Sequence, residues 1–359
     1  MTFDEIVDAI GIEPYYREPA GVIFNCDCRD LGPKLPKGIS PLIIADPPYG
    51  MGKEKDGVAN DNLYGPKLDA FQMEWWSAFR PALTDNASAY IFGNAKDLWR
   101  LWYVGGLCES ERITFRNQII WVRGAFGSGG GTGVGQPIQR SYFPETEHIL
   151  FFMLGEQGFN TNADNYWEGW EPIREYLDDE RQQAGLLKRD IDRAWCKYKN
   201  VKQTAQSQKW FSISCFGLPT EENYKWLQQL ANGLAFNREY DDLKQEYDDL
   251  KREYDDLKQE WYATRAYFDN THDNMTDVWN YPRAKGSDRC GHPTPKPVNM
   301  MARIIKSSSR EGDIVIDPLM GEGPVCRAAK QLKRNYIACE IDEKYCQVGV
   351  QRLAQEELF

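Results

Sequence analysis

Pro41-Leu42-Ile43-Ile44-Ala45-Asp46-Pro47-Pro48-Tyr49-Gly50 is the stretch whose reading decides the fold. Its first half is apolar at successive positions rather than at alternate ones. Such a run reads as a strand covered on both faces, as in a parallel sheet with helices on either side. Proline cannot donate to a ladder, so Pro47 and Pro48 end the strand and leave Asp46 at its carboxyl end. Working outward, Val22-Ile23-Phe24 reads as a shorter strand, with Asp27 just beyond it. Residues 89–92, 113–122, 148–153, 314–317 and 335–340 repeat the apolar pattern. Helices are expected at 67–83, where Phe71, Trp75, Phe79 and Leu83 recur every four residues, at 325–332 and at 343–357. Strands alternating with helices imply an α/β fold, a doubly wound, mostly parallel Rossmann-like sheet.

The α/β texture is interrupted. From residue 156 the chain becomes polar, aromatic and helical, and strands return only after residue 271. The expected organisation is one α/β domain assembled from 1–155 and 272–359, with 156–271 as a helical insertion. Within the insertion, 174–183 and 188–196 flank Ala184-Gly185. They read either as a helix-turn-helix or as an ordinary helical hairpin. Residues 238–260 then repeat a heptad, REYDDLK-QEYDDLK-REYDDLK-QE. Tyr240, Leu243, Tyr247, Leu250, Tyr254, Leu257 and Trp261 form an a/d seam, a coiled-coil arm of roughly 35 Å over 238–261. A lone amphipathic helix of this length is marginal in water. It needs a cover: a second copy in a homodimer, the chain's own helices, or another protein.

Composition narrows the class. The 359 residues are 42% hydrophobic and carry nine cysteines and a net charge of −11. No apolar run nears the ~20 residues of a membrane span, and MTFDEIVDAIG lacks the pattern of a secretion signal. Cys26, Cys28 and the other scattered thiols read as reduced, in a cytoplasmic setting. His148, His272 and His292 lie far apart, so no metal is expected. The acidic balance is uneven. Residues 238–260 hold ten Asp/Glu against five Lys/Arg, whereas 187–203 holds six Lys/Arg against two Asp. That second segment supplies Lys188, Arg189, Arg193, Lys197, Lys199 and Lys202 as candidates for phosphate contacts, or else a solvated charged face.

Three constellations carry chemistry. Asp46-Pro47-Pro48-Tyr49 places a carboxylate and a proline-fixed carbonyl side by side. Two acceptors so placed can bind both N–H groups of an amine whose lone pair is delocalised into a ring, and can aim that lone pair at an electrophile. Tyr49 offers a face for a base rotated out of a duplex. Asp317-Pro318-Leu319-Met320-Gly321-Glu322-Gly323 has the strand, glycine turn and helix of a nucleoside cradle, and Glu340 ends the next strand, where an acid can bind ribose hydroxyls. In Gly291-His292-Pro293-Thr294-Pro295-Lys296-Pro297, Lys296 is a cation suited to a ligand carboxylate. Gly124–Gly135 is a glycine-rich loop without a dinucleotide fingerprint, either a plain loop or a lid that orders on a ligand.

Together these motifs resemble the amino-methyltransferases of DNA. Asp46–Tyr49 looks like their catalytic tetrapeptide, Asp317–Gly323 like their S-adenosylmethionine loop, and His292–Pro297 like the segment that introduces it. The order, catalytic motif first and cofactor loop last, is similar to the permuted β group, including members common in phages and mobile elements. The resemblance covers most of the chain. It departs at Leu319 or Met320, where Phe is usual, at Pro324, where Thr or Ser is common, and at Pro295, where Gln is common.

The resemblance implies S-adenosylmethionine as cofactor, held by Asp27, Lys296, Asp317, Pro318, Met320, Gly321, Gly323 and Glu340. It further implies catalysis by Asp46, Pro47, Pro48 and Tyr49, double-stranded DNA as substrate, and the insertion as target-recognition domain. Asp at position 46 resembles the adenine-N6 members more than most cytosine-N4 members. An N4-cytosine, RNA or protein-amide methyltransferase is the rival enzyme, and a DNA-binding scaffold with a vestigial catalytic domain is the rival of another class. The sequence specifies neither the DNA target word nor a restriction partner.

Overall fold

The computed structural model describes residues 1–52, 58–94, 98, 100, 102, 113–123, 145–155, 168–282 and 295–354; of 168, 214 and 257–263 it describes the backbone only. The chain divides into two compact units, Met1–Gln157 with Thr264–Phe359, and Gly158–Ala263.

The first unit is built on a sheet that holds nine strands among the described residues: β1 (Tyr16–Glu18), β2 (Gly21–Asn25), β3 (Ser40–Ala45), β4 (Leu83–Gly93), β5 (Ile113–Val122), β6 (Thr146–Leu154), β7 (Val278–Asn280), β8 (Ile314–Asp317) and β9 (Asn335–Glu340). Their spatial order is β1-β2-β9-β8-β3-β4-β6-β5-β7. From β2 to β4 every neighbouring pair is parallel. β6 runs antiparallel to both β4 and β5.

Helices cover both faces, and the alternation of side chains along each strand sorts the core into two layers. Ile43, Ala45, Ala89, Ile91 and Ile316 pack toward α1 (Phe3–Ile10), α2 (Cys28–Leu31) and α3 (Pro66–Phe79). Leu42, Ile44, Tyr90, Val315 and Ala338 pack toward the helices near the C-terminus, α9 (Val298–Ser308), α10 (Pro324–Gln331) and α11 (Glu343–Leu353). Each such buried aliphatic side chain contributes about 1.5–3 kcal/mol. This is the doubly wound, mostly parallel architecture implied by the apolar runs.

The helix expected at 67–83 is shorter than its spacing suggested. It stops at Phe79, Arg80–Ala82 form a single tight turn, and Leu83 opens β4. Pro81 is the reason, since it has no N–H to continue the ladder. β1 and α1 are additions to the expected elements; β1 is only three residues long, whereas Phe3, Ile6, Val7 and Ile10 of α1 recur at helical spacing and pack on the core. α1 is set by a capping box, Thr2 Oγ1 accepting from Glu5 N while Glu5 accepts from Thr2 N.

The second unit is helical: α4 (Glu171–Gln183), α5 (Lys188–Lys199), α6 (Gln206–Phe211), α7 (Glu221–Leu230) and α8 (Tyr240–Ala263). Ile173, Leu177, Ile191, Trp210, Phe211, Tyr224, Leu227, Phe236 and Leu243 form its core. The heptads do form one helix, α8. The first part of its seam is covered within the unit. Leu243 is fully buried, Tyr240, Tyr247 and Leu250 pack on the same core, and Trp170 stacks on Tyr247 at 4.6 Å. Of the three covers the heptads could take, the chain's own helices supply that of Tyr240 to Leu250.

Candidate active site

Four parallel neighbours in the first unit end at one edge, and each leaves an acid there. Asp27 follows β2, Glu340 ends β9, Asp317 ends β8 and Asp46 follows β3. Open α/β sheets bind ligands at this edge. A cavity of about 600 Å³ opens there, lined by all four acids and by Pro47, Pro48, Tyr49, Lys296, Pro318, Met320 and Gly321. Asp46 and Asp317 lie 271 positions apart in the chain (317 − 46), and the sheet brings them to one edge.

Asp46 is held from two sides. Its Oδ1 accepts from the Tyr49 hydroxyl at 2.6 Å, and its Oδ2 lies 2.7 Å from Lys296 Nζ. Burial, with Asp46 and Glu147 close by, keeps the Tyr49 phenol well above its ordinary value. The turn beyond is fixed by Asp61, whose Oδ1 accepts from Tyr49 N and Gly50 N, both at 2.9 Å. Gly50 is required there. It has φ +68°, and a Cβ would sit 2.5 Å from Leu63 O.

Lys296, expected against a ligand carboxylate, lines the same cavity as the Asp317–Gly323 loop; it is 5% exposed and lies between Asp46 and Glu147, with Oε2 of Glu147 at 3.4 Å. Tyr49, Phe92 and Trp121 surround it, their ring centres at 5.3, 5.6 and 6.0 Å. Burial opposes its charge, but the two carboxylates outweigh burial and raise it. Burial likewise opposes ionisation of Glu147, and Lys296 with Arg123 outweighs it, so Glu147 lies below the usual carboxylate range.

Glu147 and Arg123 were not legible in the sequence. Glu147 reaches this edge because β6 runs backward: His148 pairs with Gly93, the last residue of β4, so the start of β6 meets the end of β4. Arg123 follows the last residue of β5, and its Nη1 donates to Glu147 Oε1 at 3.0 Å. The available signal was a single acid at the head of an otherwise apolar strand.

Among the described residues, no such cation pairs with Asp317 or Glu340. Burial holds Asp317 well above its usual range, and the charges of Asp46 and Glu340 add to the effect; its one backbone partner is Leu319 N at 3.2 Å. Glu340 accepts from Gly321 N at 2.8 Å and Asp342 N at 2.9 Å, yet burial pushes it up to about 7. Asp27 is lowered, chiefly by its bond to Arg29, and caps α2. Gly323 caps α10 at φ +73°, and Pro324 opens that helix without the penalty of a missing donor. A buried, acidic, nucleoside-sized cavity at a glycine turn fits a ligand bringing a cation and hydroxyl donors. Among the described residues no cluster of three or more His, Cys, Asp or Glu side chains has the geometry to hold a metal ion.

A sequence model of DNA methylases, the N6_N4_Mtase family, matches residues 41–351. The chain belongs to the N6/N4 family of DNA methylases. It is an S-adenosylmethionine-dependent DNA methyltransferase. Among curated relatives, the methylase is 23% identical to the Type II methyltransferase M.HpaI of Haemophilus parainfluenzae over 317 residues, 88% of this chain and 68% of that one. It is 35% identical to the Type II methyltransferase M2.DpnII of Streptococcus pneumoniae over 89 residues, 24% of this chain and 33% of that one. Among solved structures it shares its fold with the cytosine-N4-specific PvuII DNA methyltransferase, at a TM-score of 0.52 and 10% identity, covering 97% of this chain and 92% of the other.

The basic segment lies elsewhere, on α5 of the second unit, and is not uniform. Arg189 and Arg193 are exposed, with side-chain accessibilities of 76% and 72%, and Lys197 and Lys202 are exposed too. Lys188 donates to Phe211 O at 3.1 Å and Ser212 Oγ at 2.9 Å, so its ammonium serves the fold of the unit. Lys199 pairs with Glu222 at 2.7 Å. The glycine-rich loop 124–135 and residues 291–294, including His292, lie outside the described residues.

Proposed function

We propose that this methylase acts on the N6 amino group of adenine in double-stranded DNA, at a specific site, with the target base rotated out of the helix. The observation that carries the reading is Asp46, placed at the carboxyl end of β3, beside Tyr49 and across one cavity from Asp317 and Glu340. The choice of adenine rests on Asp at position 46, which resembles the N6 members.

S-adenosylmethionine, when bound, supplies an electrophilic methyl group on a sulfonium. Asp317 and Glu340 hold the donor: their buried carboxyls meet a positively charged ligand and its ribose hydroxyls, and the ligand's charge favours their ionised form. Asp46 and the Pro47 carbonyl accept the two N–H groups of the target amine. This draws the nitrogen toward a pyramidal geometry and aims its lone pair, a gain from positioning rather than from a strong base. Tyr49 stacks on the base. As the nitrogen forms its new bond it sheds a proton, and Asp46 is the acceptor within reach. The helical unit 158–263 reads the DNA target, with Arg189, Arg193, Lys197 and Lys202 of α5 and its flank on phosphates.

Nucleoside mass spectrometry tests the reading. The protein is incubated with mixed-sequence double-stranded DNA and S-adenosylmethionine, with Asp46→Ala alongside. N6-methyladenine from the wild type and none from the variant is the expected result. N4-methylcytosine would retain the chemistry of Asp46 and overturn the choice of base. No methylated nucleoside from a protein that binds the cofactor would overturn the DNA assignment.

A further inference from the structure

The same geometry that recommends Asp46 also obstructs it. Both of its oxygens are engaged, Oδ1 by the Tyr49 hydroxyl and Oδ2 by Lys296. If the proposed chemistry holds, the target amine must take a place on this carboxylate, where the ammonium competes with it for Oδ2. Lys296 cannot yield to water, because it is 5% exposed and enclosed by Tyr49, Phe92 and Trp121. A buried ammonium that leaves one anion needs another at hand.

That anion is present. Glu147 Oε1 is committed to Arg123, whereas Oε2 is buried and faces Lys296 Nζ at 3.4 Å, a longer contact than the 2.7 Å from Nζ to Asp46 Oδ2. Arg123, Glu147, Lys296 and Asp46 thus form a row of alternating charge, in which the lysine is held closely by Asp46 and only loosely by Glu147.

We propose that Glu147 is a positioning residue that receives Lys296 when the target amine arrives. The ammonium shifts from Asp46 Oδ2 to Glu147 Oε2, a displacement of less than about 1 Å given its present asymmetry between the two. Asp46 Oδ2 is then open to an amine N–H. The shift also takes a positive charge away from a nitrogen that becomes cationic as it accepts the methyl group, where a like charge would be unfavourable. Without the charge of Glu147, Lys296 stays on Asp46 and competes with the substrate.

The experiment compares wild type, Glu147→Gln, Glu147→Asp, Lys296→Met and the Glu147→Gln/Lys296→Met double variant. It measures single-turnover methylation of a duplex carrying the mapped site, and S-adenosylhomocysteine affinity by calorimetry. Glu147→Gln is expected to slow methylation by about tenfold or more while S-adenosylhomocysteine affinity stays within about threefold. Added to Lys296→Met, the same change is expected to cost less than about twofold, because no cation remains to be received. Glu147→Asp keeps the charge and is expected to outpace Glu147→Gln, which also guards against a Gln variant that fails to fold. A Glu147→Gln rate within about twofold of wild type, losses that multiply in the double variant, or equal rates for the Asp and Gln variants would each overturn the proposal. Those results come from an active wild type, so they leave the amine-methylation reading standing. An inactive wild type sinks that reading first, and the handover with it.

Discussion

The two ends of the cavity solve the same problem differently. At the Asp46 end the protein supplies its own cations: Lys296 lies against Asp46 and Glu147, and Arg123 against Glu147. At the Asp317–Glu340 end no cation among the described residues offsets burial, and both carboxyls are driven upward, Glu340 to about 7. The contrast separates a site that is electrostatically complete before any ligand arrives from one that a ligand completes. A weakly nucleophilic amine needs acceptors already aimed, whereas a cationic cofactor can bring the missing charge with it.

The largest expected break in this comparison is Asp46→Ala. Removing one aimed group costs about 10²–10³ in rate, and here the loss should fall on single-turnover methylation while S-adenosylhomocysteine binding by calorimetry barely moves. An equal loss of both would mean that the two ends do not act separately.

The next largest is a stability effect of opposite sign at the two ends. Glu340 has an ordinary value of 4.5 and about 7 in the folded protein. Below about 4.5 it is protonated folded or unfolded. Between the two values only the unfolded chain ionises, so this group's contribution to stability is lost as pH rises toward 7. The full change is on the order of 3 kcal/mol. Glu147 is lowered, so its contribution is present at neutral pH and is lost as pH falls through its folded value. Urea unfolding at pH 5 and pH 8 should show the Glu340 difference in the wild type and not in Glu340→Gln.

Asp317→Ala should mirror Asp46→Ala, weakening S-adenosylhomocysteine by about 1.5–3 kcal/mol, a typical value for a hydrogen bond to a charged group. Equilibrium titration reads it, and unchanged affinity would remove Asp317 from the cofactor side. The smallest effect belongs to neither end. Arg189→Ala with Arg193→Ala should weaken DNA binding several-fold at about 0.1 M salt and lower the salt slope by about two, leaving cofactor affinity unchanged. Equal DNA affinity at two salt concentrations would place α5 away from the DNA.

How much of this could be read beforehand follows the same division. Asp46, Asp317 and Glu340 were legible because each terminates an apolar strand, and strand ends in a parallel sheet converge. Lys296 was legible as a cation near the site but not as the partner of Asp46. Its position depends on Glu147, whose place depends on β6 running antiparallel, and chain direction leaves no trace in apolar periodicity. Lys188 was grouped with the phosphate contacts by charge alone. It donates instead to Phe211 O and Ser212 Oγ, a use of the ammonium that only tertiary packing decides. The heptads announced a helix in need of a cover, and the nearest cover, Trp170, came from a stretch with no heptad signal at all.

The sheet order has a consequence for how this protein is made. β9 and β8, from near the end of the chain, lie between β2 and β3, from near its beginning. While the ribosome is still short of residue 314, β2 can pair only with β1 and β3 only with β4, and the facing edges of β2 and β3 stay without a partner. Pairings so distant in sequence form slowly and leave unpaired strands exposed to aggregation in the meantime. A premature stop anywhere before Glu340 therefore takes away the middle of the sheet rather than its end. The cavity edge is completed only once Glu340 has been made.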